Sequence, residues 1–331
     1  MWRLSAVGAA LLFFPLLLPG CAMPSQGDGN LVILNYNVQN IFDTEVDGSE
    51  YEDFRNVSDK VFHHRLDNLS EVIRRTTPAP DIVVLQEVED EDVTTELLET
   101  YLPEYGYSQV HFSGPGASAT QVALLTHLPV TRVVTHAPPV KEYPLRNVLE
   151  VEVESSAGPL ILLANHWKSR RDGGEELRLA TASMVKHRLE VIAEQRPEAQ
   201  LILVGDFNSE PAAAGGGQGE PILLHRENPR GLAVTERMGE AGTGGRLWPL
   251  YSPWGVAEEP GSYFYAGRWE RIDAFYLSGS LLEPPGLRLA EFRVHPWEEL
   301  RLGEGRPMRW IEDLGTGYSD HLPLILVLRE E

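Results

Sequence analysis

Six apolar segments of the chain each meet a group of amide, carboxylate or imidazole side chains at one end. These polar groups are Asn35–Asn40, Gln86–Glu89, Asn165–Arg170, Gly205–Asn208, Arg271–Asp273 and Ser319–His321. Strand ends that face a cleft are where open α/β proteins usually place ligands. The residue types favour hydrolysis of a phosphate ester, because carboxylates can bind a cation and activate water while imidazoles transfer protons.

The oxygen-bearing members of these groups suit a hard divalent cation, Mg²⁺ or Mn²⁺. Glu87, Asp320 and the amide oxygen of Asn37 are the candidate metal ligands, since such cations prefer oxygen donors. The chain has one cysteine and no histidine-rich cluster, so nothing in it indicates a zinc site. A bound cation would neutralise the phosphate and stabilise a leaving oxygen.

Five further residues are candidates for the chemical step. Asp206 can orient or deprotonate a water molecule, and Asn208 can hold that water. His166 and His321 can act as acid, as base or as donors to phosphate oxygens. If Asp273 pairs with His321, the carboxylate fixes the tautomer of the imidazole and raises its pKa.

Each of these residues, taken singly, also fits a structural interpretation. Asn37 or Asn208 could close a strand as a turn residue, Glu87 could be one of many surface acids, and either histidine could be structural. A structural explanation of all six groups must place six polar groups independently at buried strand ends. Each such group costs about 1–3 kcal/mol when it lacks a partner, so the groups together favour a functional site.

Basic and aromatic side chains near these groups have two interpretations. Lys168, Arg170 and Arg171 form a local basic cluster in an acidic chain, and they fit either a phosphate contact or a solvated loop. Asn165 is a further candidate for substrate binding, and Arg146 is a weaker one. Three aromatic residues fit either stacking on a base or sugar, or simple packing: Tyr263, Tyr265 and Trp269.

The strands and helices that position these residues follow from hydrophobic periodicity. The predicted strands are Leu31–Leu34, Ile82–Leu85, Ser108–Phe112, Gln121–Thr126, Thr131–His136, Val148–Val153, Leu160–Ala164, Leu201–Val204, Ile272–Leu277 and Leu322–Leu328. The predicted helices are Val61–Ile73 with Ser58 as N-cap, Thr94–Tyr101 and Glu175–Gln195. Continuous and alternating strands with helices between them predict an α/β fold in which two sheets pack face to face with helices outside.

The charge of the chain limits its binding partners. Lys and Arg number 28 against 49 Asp and Glu, which gives a formal net charge of −21. A field of that sign repels polyanions and argues against tight, non-specific binding to nucleic acid. It does not exclude a metal-dependent nuclease that binds its substrate weakly and turns it over.

The N-terminus has the pattern of an export signal. Arg3 precedes the apolar run Val7–Leu18, which is too short to span a bilayer but has the size of a signal-peptide core. The run ends in Pro19-Gly20-Cys21, which resembles the bacterial lipoprotein signal in which the cysteine is lipidated; an ordinary secretory signal is the alternative. We therefore expect an exported protein, either secreted or anchored to the cell-envelope membrane. The expected order is a signal peptide over 1–21, a polar tether over 22–30 and a catalytic domain over 31–331.

The order of the motifs resembles that of the endonuclease/exonuclease/phosphatase superfamily, which includes deoxyribonuclease I. The matching residues are Asn37, Gln86-Glu87, Asn165-His166, Gly205-Asp206-Phe207-Asn208, Arg271-Ile272-Asp273 and Ser319-Asp320-His321. The resemblance spans about residues 31 to 328. The strings Asn37–Asp43, Asn165–Ser169 and Gly261–Tyr265 are similar to those of a bacterial exported nuclease-like branch.

The resemblance implies a fold and a set of roles. The fold is a four-layer α/β/β/α sandwich of two mixed, mostly antiparallel sheets. The resemblance implies that Asn37 and Glu87 lie at the metal, with Asp320 close by. It implies that His166 acts as acid toward the leaving oxygen or as a donor to phosphate. Asp206 and Asn208 would position the attacking water, and Asp273 and His321 would form a dyad. The resemblance leaves open whether Asp206 or His321 takes the proton of the water.

Three functional hypotheses follow. The first is a monomeric phosphodiesterase that acts on DNA, RNA or nucleotides outside the cytoplasm, held at the membrane by a lipid on Cys21. The second is a lipid or inositol phosphate hydrolase of the sphingomyelinase kind, because relatives with the same architecture have such substrates. The third is a non-catalytic surface lipoprotein, which the intact polar set disfavours.

Overall fold

The computed structural model describes residues 29–46, 48, 50–54, 57–114, 118–140, 142–143, 145–171, 174–210, 232–242 and 249–331. The expected signal peptide, Cys21 and residues 22–28 of the expected tether lie outside the described residues. Within the described ranges, no helix combines the length and the apolar character needed to cross a membrane.

Two large sheets form the centre of the molecule. The first contains, in spatial order, β14 (Leu287–Val294), β15 (Leu324–Glu330), β1 (Asn30–Ile41), β2 (Ile82–Val88), β4 (Gln121–Thr126) and β3 (Gln109–Phe112). The second contains β5 (Val130–His136), β6 (Val148–Ser155), β7 (Gly158–His166), β8 (Gln200–Asp206), β13 (Asp273–Leu277), β10 (Leu250–Tyr251) and β9 (Val234–Thr235). A separate hairpin consists of β11 (Tyr263–Tyr265) and β12 (Arg268–Glu270).

The helices lie between these strands in the chain. They are α1 (Asp59–Arg75), α2 (Glu91–Glu96), which continues into a π-helical turn (Leu97–Tyr101), and α3 (Gly174–Gln195). Short 3₁₀ turns occur at Glu52–Phe54, Pro103–Tyr105, Met238–Glu240, Pro253–Val256, Gly279–Leu281, Glu298–Leu300, Gly303–Gly305 and Glu312–Leu314.

Local sequence explains how the two long helices form and pack. Ser58 caps α1, since its side chain accepts the Val61 N–H at 3.3 Å. Leu66 and Ile73 of α1 are fully buried, and each contributes about 1.5–3 kcal/mol by leaving water. α3 buries Leu189 in the same way on its inner face. Both helices therefore cover a sheet with an apolar stripe.

The two sheets pack against each other through their apolar inner faces. β1 and β2 of the first sheet contact β8 of the second, and all four residues of Leu201–Val204 are completely buried. β1 pairs in parallel with β2, β7 with β8, and β9 with β10, whereas the remaining pairs are antiparallel. The predicted fold, a sandwich of two mixed and mostly antiparallel sheets with helices outside, is confirmed.

Several elements differ from the prediction. β1 extends to Ile41 rather than ending at Leu34, because Asn35 and Asn37 continue the strand as buried polar residues. β14 was not predicted, since it is an edge strand whose middle residues are partly exposed and include charged side chains. The hairpin β11–β12 was also missed, because strands of three residues give almost no periodic signal.

Candidate active site

The candidate residues converge at one edge of the two packed sheets. The parallel strands β1 and β2 end there, and they bring Asn37 beside the residue that precedes Glu87. The parallel strands β7 and β8 likewise place His166 opposite Asp206. β13 runs antiparallel to β8 and therefore begins at the same edge, where Asp273 faces Asp206. Carboxyl ends of parallel strands and amino ends of antiparallel ones thus share this edge.

Left-handed backbone conformations orient two of these side chains. Glu87 has φ of +67° and interrupts β2, whose register with β4 shifts between Gln86 and Val88. Asn208 has φ of +48° directly after β8. Such conformations cost a non-glycine residue on the order of 1–2 kcal/mol and persist where the surroundings enforce them. The bulge at Glu87 turns its carboxylate toward the cluster.

Gly205 allows the two central strands of the second sheet to approach each other. Its φ is +138°, and a Cβ atom at this position would lie 1.9 Å from the carbonyl oxygen of Asn165. Only glycine avoids this clash with the neighbouring backbone. The adjacent pair of His166 and Asp206 depends on this close approach of β7 and β8.

Asp206 is a buried carboxylate held by amides. Its Oδ1 accepts the backbone N–H of Asn208 at 2.8 Å, and its Oδ2 accepts Nδ2–H of Asn37 at 3.0 Å and of Asn208 at 3.2 Å. Burial and repulsion from Asp273 raise the pKa of Asp206 to about 7, although the nearby His321 opposes this shift. The carboxyl group is therefore able to exchange a proton near neutral pH.

Asp273 and His321 form a buried pair. Nδ1 of His321 lies 2.7 Å from Oδ2 of Asp273, which also accepts the hydroxyl of Ser262 at 2.6 Å. Burial disfavours the charged imidazole, but the Asp273 carboxylate outweighs it and raises the pKa of His321 to about 10. Ligand atoms of Asp206, Asp273 and His321 all lie within 4.8 Å of one another. The structure thus brings together the dyad that the sequence suggested.

His166 lies between two carboxylates without a close hydrogen bond to either. Its Nε2 is 3.6 Å from Oε1 of Glu87 and 3.6 Å from Oδ2 of Asp206. Burial, with the neighbouring charges of Arg146 and His321, lowers the pKa of His166 well below its usual value. The imidazole is therefore neutral at neutral pH, and its buried Nδ1 has no hydrogen-bond partner among the described residues.

The carboxylates of Glu87 and Asp320 supply oxygen donors that fit a divalent cation, whereas the amide oxygen of Asn37, the third candidate ligand, accepts the backbone N–H of Gln39 at 3.0 Å. Oε1 of Glu87 accepts Nδ2–H of Asn37 at 3.2 Å, and the Glu87 side chain stays 19% exposed. Burial and repulsion from Asp320 raise the pKa of Glu87, while Arg146 lowers it. Carboxylates that crowd each other in a buried setting favour a cation between them. The donor set therefore suits a hard divalent cation rather than a softer metal.

The expectation that Asn165 binds substrate is corrected by its contacts. Asn165 is fully buried, its Nδ2 donates to the carbonyl oxygen of Leu163 at 2.7 Å, and its Oδ1 accepts Nε1–H of Trp167 at 3.0 Å. Its amide is therefore used to fix the indole of Trp167 beside the strand.

Lys168 and Arg170 lie near the cluster but already have protein partners. Arg170 pairs with Glu270 of the hairpin at 3.0 Å and donates to the carbonyl oxygen of Asn208 at 3.2 Å. Lys168 donates to Ser169 at 3.0 Å. Arg170 therefore ties the hairpin to the loop that carries Asn208, and contact of either cation with substrate stays a prediction.

Two groups near the cluster were not selected from the sequence, or were ranked low. Ser262, which donates to Asp273, was missed because a single serine beside aromatic residues carries no periodic signal. Arg146, the weaker candidate, is held by hydrogen bonds to Thr120 Oγ1 at 3.1 Å and to the Tyr51 hydroxyl at 3.2 Å. Its charge acts on both Glu87 and His166.

Aromatic rings lead outward from the dyad. The ring of Tyr263 lies 4.6 Å from the imidazole of His321 at an interplanar angle of 30°. Tyr265 stacks nearly parallel to Tyr263 at 6.2 Å and is 57% exposed. Trp269 instead packs edge-on against Phe264. Two of the three aromatic candidates therefore form a column, and the third packs within the hairpin.

Comparison with protein-family models matches residues 32–330 to the model described as "Endonuclease/Exonuclease/phosphatase family". A sequence search among curated proteins found no match for this chain.

Several solved structures have a similar fold. The chain is 18% identical to Danio rerio TDP2 complexed with single strand DNA product, with a TM-score of 0.57 and coverage of 91% of this chain and 100% of that chain. It is 13% identical to an endonuclease/exonuclease/phosphatase family protein from Bacteroides thetaiotaomicron (TM-score 0.54, coverage 91% and 98%). It is 17% identical to the human Nocturnin catalytic domain with bound sulfate anion (TM-score 0.53, coverage 91% and 94%). At these low identities, the structural similarity establishes the shared fold alone.

Proposed function

Because the chain belongs to the endonuclease/exonuclease/phosphatase family, we propose that it is a hydrolase of phosphodiesters that works with Mg²⁺ or Mn²⁺. The observation that carries this proposal is the convergence of seven polar side chains from distant segments of the chain at one sheet edge. These are Asn37, Glu87, His166, Asp206, Asn208, Asp273 and His321. A scaffold without activity would gain nothing from burying so many polar groups together.

Glu87 and Asp320 are the residues that would hold the cation, and the Nδ2–H of Asn37 orients the Glu87 carboxylate. When bound, the cation supplies positive charge to the phosphate and to the leaving oxygen. We assign Asp206 to orient the attacking water together with the amide of Asn208, whose Nδ2–H donates to Oδ2 of Asp206 at 3.2 Å. The carboxylate of Asp206 is placed to accept the proton of that water.

The two histidines have different charges and different roles. The ion pair with Asp273 keeps His321 protonated, so its Nε2–H donates to a phosphate oxygen and stabilises charge there. His166 is neutral, and its Nε2 faces the space between Glu87 and Asp206. It serves as a hydrogen-bond donor to the leaving oxygen.

Nucleic acid or nucleotides are the substrate class that we propose. The support is the ring column of Tyr263 and Tyr265, since an exposed aromatic ring beside a phosphate site can stack on a base. Danio rerio TDP2, which shares the fold, is described in complex with single strand DNA product. We further propose that the protein acts as a monomer outside the cytoplasm, anchored through a lipid on Cys21; the apolar run and the position of the sole cysteine support this.

Purified protein incubated with bis-p-nitrophenyl phosphate and Mn²⁺ tests the proposal. We expect metal-dependent hydrolysis that EDTA abolishes, and a loss of roughly a hundredfold or more in Glu87→Gln and Asp206→Asn. Glu91→Gln is the control, since this exposed carboxylate begins α2 away from the cluster. Full activity in the two site variants would refute the assignment.

A panel of substrates at one metal concentration tests the substrate class. The panel contains single-stranded DNA, RNA, dinucleotides, sphingomyelin vesicles and inositol phosphates. Faster turnover of the first three supports the proposal. Preference for sphingomyelin or inositol phosphates would instead support the lipid or inositol phosphate hydrolase. For the anchor, radiolabelled palmitate incorporation that Cys21→Ala abolishes is the expected result, and incorporation that persists in the variant would contradict it.

A further inference from the structure

One buried arginine binds the backbone of β1 directly after Asn37. Arg65 is 5% exposed although it lies in the middle of α1. Its Nη2 donates to the backbone carbonyl oxygens of Val38 and, at 3.0 Å, of Gln39. Its guanidinium carbon lies 4.7 Å from the centre of the Trp310 ring. A buried cation whose hydrogen bonds go to main-chain carbonyls is costly, so its position calls for an explanation.

The carbonyl oxygens that Arg65 binds belong to a distortion of β1. The register between β1 and β2 shifts between Asn37 and Ile41. Gln39 and Asn40 have φ of +56° and +53°, the left-handed region that residues other than glycine avoid. Two consecutive residues in this region cost on the order of 2–4 kcal/mol together, so neighbouring groups must hold them there. Arg65 satisfies two carbonyl oxygens at this distortion.

Gln39 connects this distortion to the candidate ligand Asn37. The backbone N–H of Gln39 donates to Oδ1 of Asn37 at 3.0 Å. The side-chain amide of Gln39 pairs with the backbone of Trp310, accepting its N–H at 2.9 Å and donating to its carbonyl oxygen at 3.1 Å. Trp310 in turn covers the guanidinium of Arg65. Arg65, Gln39 and Trp310 therefore form a closed unit, which we call the bulge clamp.

Arg65 carries a positive charge although it is buried. Burial lowers the pKa of Arg65 to about 10, and the attraction of Tyr36, Glu312, Glu87 and Asp320 opposes this shift. Arg65 therefore remains charged at neutral pH. The bulge clamp thus places a charged guanidinium against the backbone that follows Asn37.

We propose that Arg65 is a positioning residue of the metal centre. Through the distorted end of β1 it fixes Asn37, whose Nδ2–H in turn holds Oε1 of the candidate ligand Glu87. This inference rests on the proposed function, because it assumes that Glu87 and its neighbours bind a cation used in hydrolysis. The competing explanation is that Arg65 only attaches α1 to the first sheet. The two explanations differ in what they expect for metal affinity in a variant that stays folded.

Metal binding by the metal-free protein separates the two explanations. Mn²⁺ affinity is measured by isothermal titration calorimetry on Arg65→Met, Arg65→Lys and the control Arg75→Met. Arg75 lies on the same helix, about 15 Å along its axis, and its guanidinium lies over another indole, that of Trp297. The control therefore removes a similar cation–π contact away from the cluster. Thermal unfolding reports the folded fraction of every variant.

We expect Arg65→Lys to stay folded and to bind Mn²⁺ about tenfold more weakly, since an ammonium lacks the planar guanidinium that lies over the Trp310 ring while it binds the two carbonyl oxygens. Arg65→Met should bind more weakly still, and Arg75→Met should match the wild type. In turnover of bis-p-nitrophenyl phosphate, saturating Mn²⁺ should restore much of the kcat of Arg65→Lys. If Arg65→Met fails to fold, Arg65→Lys decides the question.

The inference is overturned if folded Arg65→Lys binds Mn²⁺ as tightly as the wild type does. It is also overturned if the loss of Mn²⁺ binding is explained by the fraction of the variant that is unfolded. The titration needs no turnover, so the two proposals can fail separately. A wild type that hydrolyses phosphodiesters, with unchanged metal affinity in the Arg65 variants, refutes the inference alone. A wild type that binds Mn²⁺ in an Arg65-dependent way but cleaves no phosphodiester refutes the proposed function alone. A wild type that binds no Mn²⁺ refutes both.

Discussion

Replacing Glu150 with glutamine is expected to loosen α3 from the second sheet. Glu150 lies on β6 with a side chain that is 1% exposed. Both carboxylate oxygens accept hydrogen bonds from Arg188 of α3, Oε2 at 2.6 Å and Oε1 at 2.7 Å. Oε2 also lies 2.8 Å from Nε2 of His136, and Oε1 pairs with Arg132. Burial alone would raise the pKa of Glu150, but its partners Arg188 and His136 outweigh burial and lower it to about 2.

The size of the effect follows from this pKa. The pKa of Glu150 falls from its ordinary value of 4.5 to about 2 in the folded protein. This difference means that ionised Glu150 contributes roughly 3 kcal/mol to the free energy of unfolding at pH 7. Because the folded pKa is depressed, this contribution is complete above the unfolded pKa and disappears as the pH falls through the folded one. At pH 3 about 1.5 kcal/mol is left. Glu150→Gln should therefore cost about half as much at pH 3 as at pH 7.

Urea unfolding followed by circular dichroism at both pH values measures the difference. The control is Glu152→Gln on the same strand, whose carboxylate pairs with the 38% exposed Arg196; such a pair contributes less than about 1 kcal/mol. An equal loss in Glu150→Gln at both pH values would mean that shape rather than charge is lost. A change below about 1 kcal/mol at pH 7 would refute the ion-pair network as a stabilising feature.

Three further predictions concern the site itself. Gly205→Ala should destabilise the protein by more than about 2 kcal/mol in thermal unfolding, because the added Cβ would meet a strand carbonyl oxygen at 1.9 Å. The control is Gly267→Ala, whose φ is +86° but whose Cβ would meet no atom within 4 Å. It should lose only about 1 kcal/mol of unfolding free energy. Ser262→Ala should lower kcat about fivefold to tenfold with little change in KM, since the Asp273 carboxylate loses one hydrogen bond; unchanged kcat would remove Ser262 from the site. Tyr265→Ala should raise KM for single-stranded DNA roughly fivefold to a hundredfold and leave bis-p-nitrophenyl phosphate unaffected; an equal effect on both substrates would contradict base stacking.

Much of the fold could be predicted because the core strands are nearly continuous apolar runs. Residues 82–85 and 201–204 are completely buried, and a strand covered on both faces has no need of polar positions. Edge elements could not be predicted in this way. β14 has one partner strand and a partly exposed middle, so its pattern of alternating and charged residues differs little from that of a loop.

The type of site could also be predicted, but the use of each side chain could not. Asn165 stands next to His166 in the sequence and was expected to face the same substrate, yet it points to the indole of Trp167. Successive side chains of a strand point to opposite faces, so one of two neighbours commonly turns away from the site. Arg65 shows the opposite case. It looks like one more surface charge of an amphipathic helix, and only the packing of α1 on the first sheet shows that it is buried.

Local patterns in the sequence determined the apolar centres of the core strands, the helix cap at Ser58 and the chemical classes of the polar groups, because these depend on residues within a few positions of each other. The tertiary structure decided which groups meet. Glu87 and Asp206 are more than a hundred residues apart in the chain, yet both approach His166. Such pairings depend on strand order and register. The protonation of His321 and His166 was decided at the same level, since each depends on charges and burial that distant segments provide.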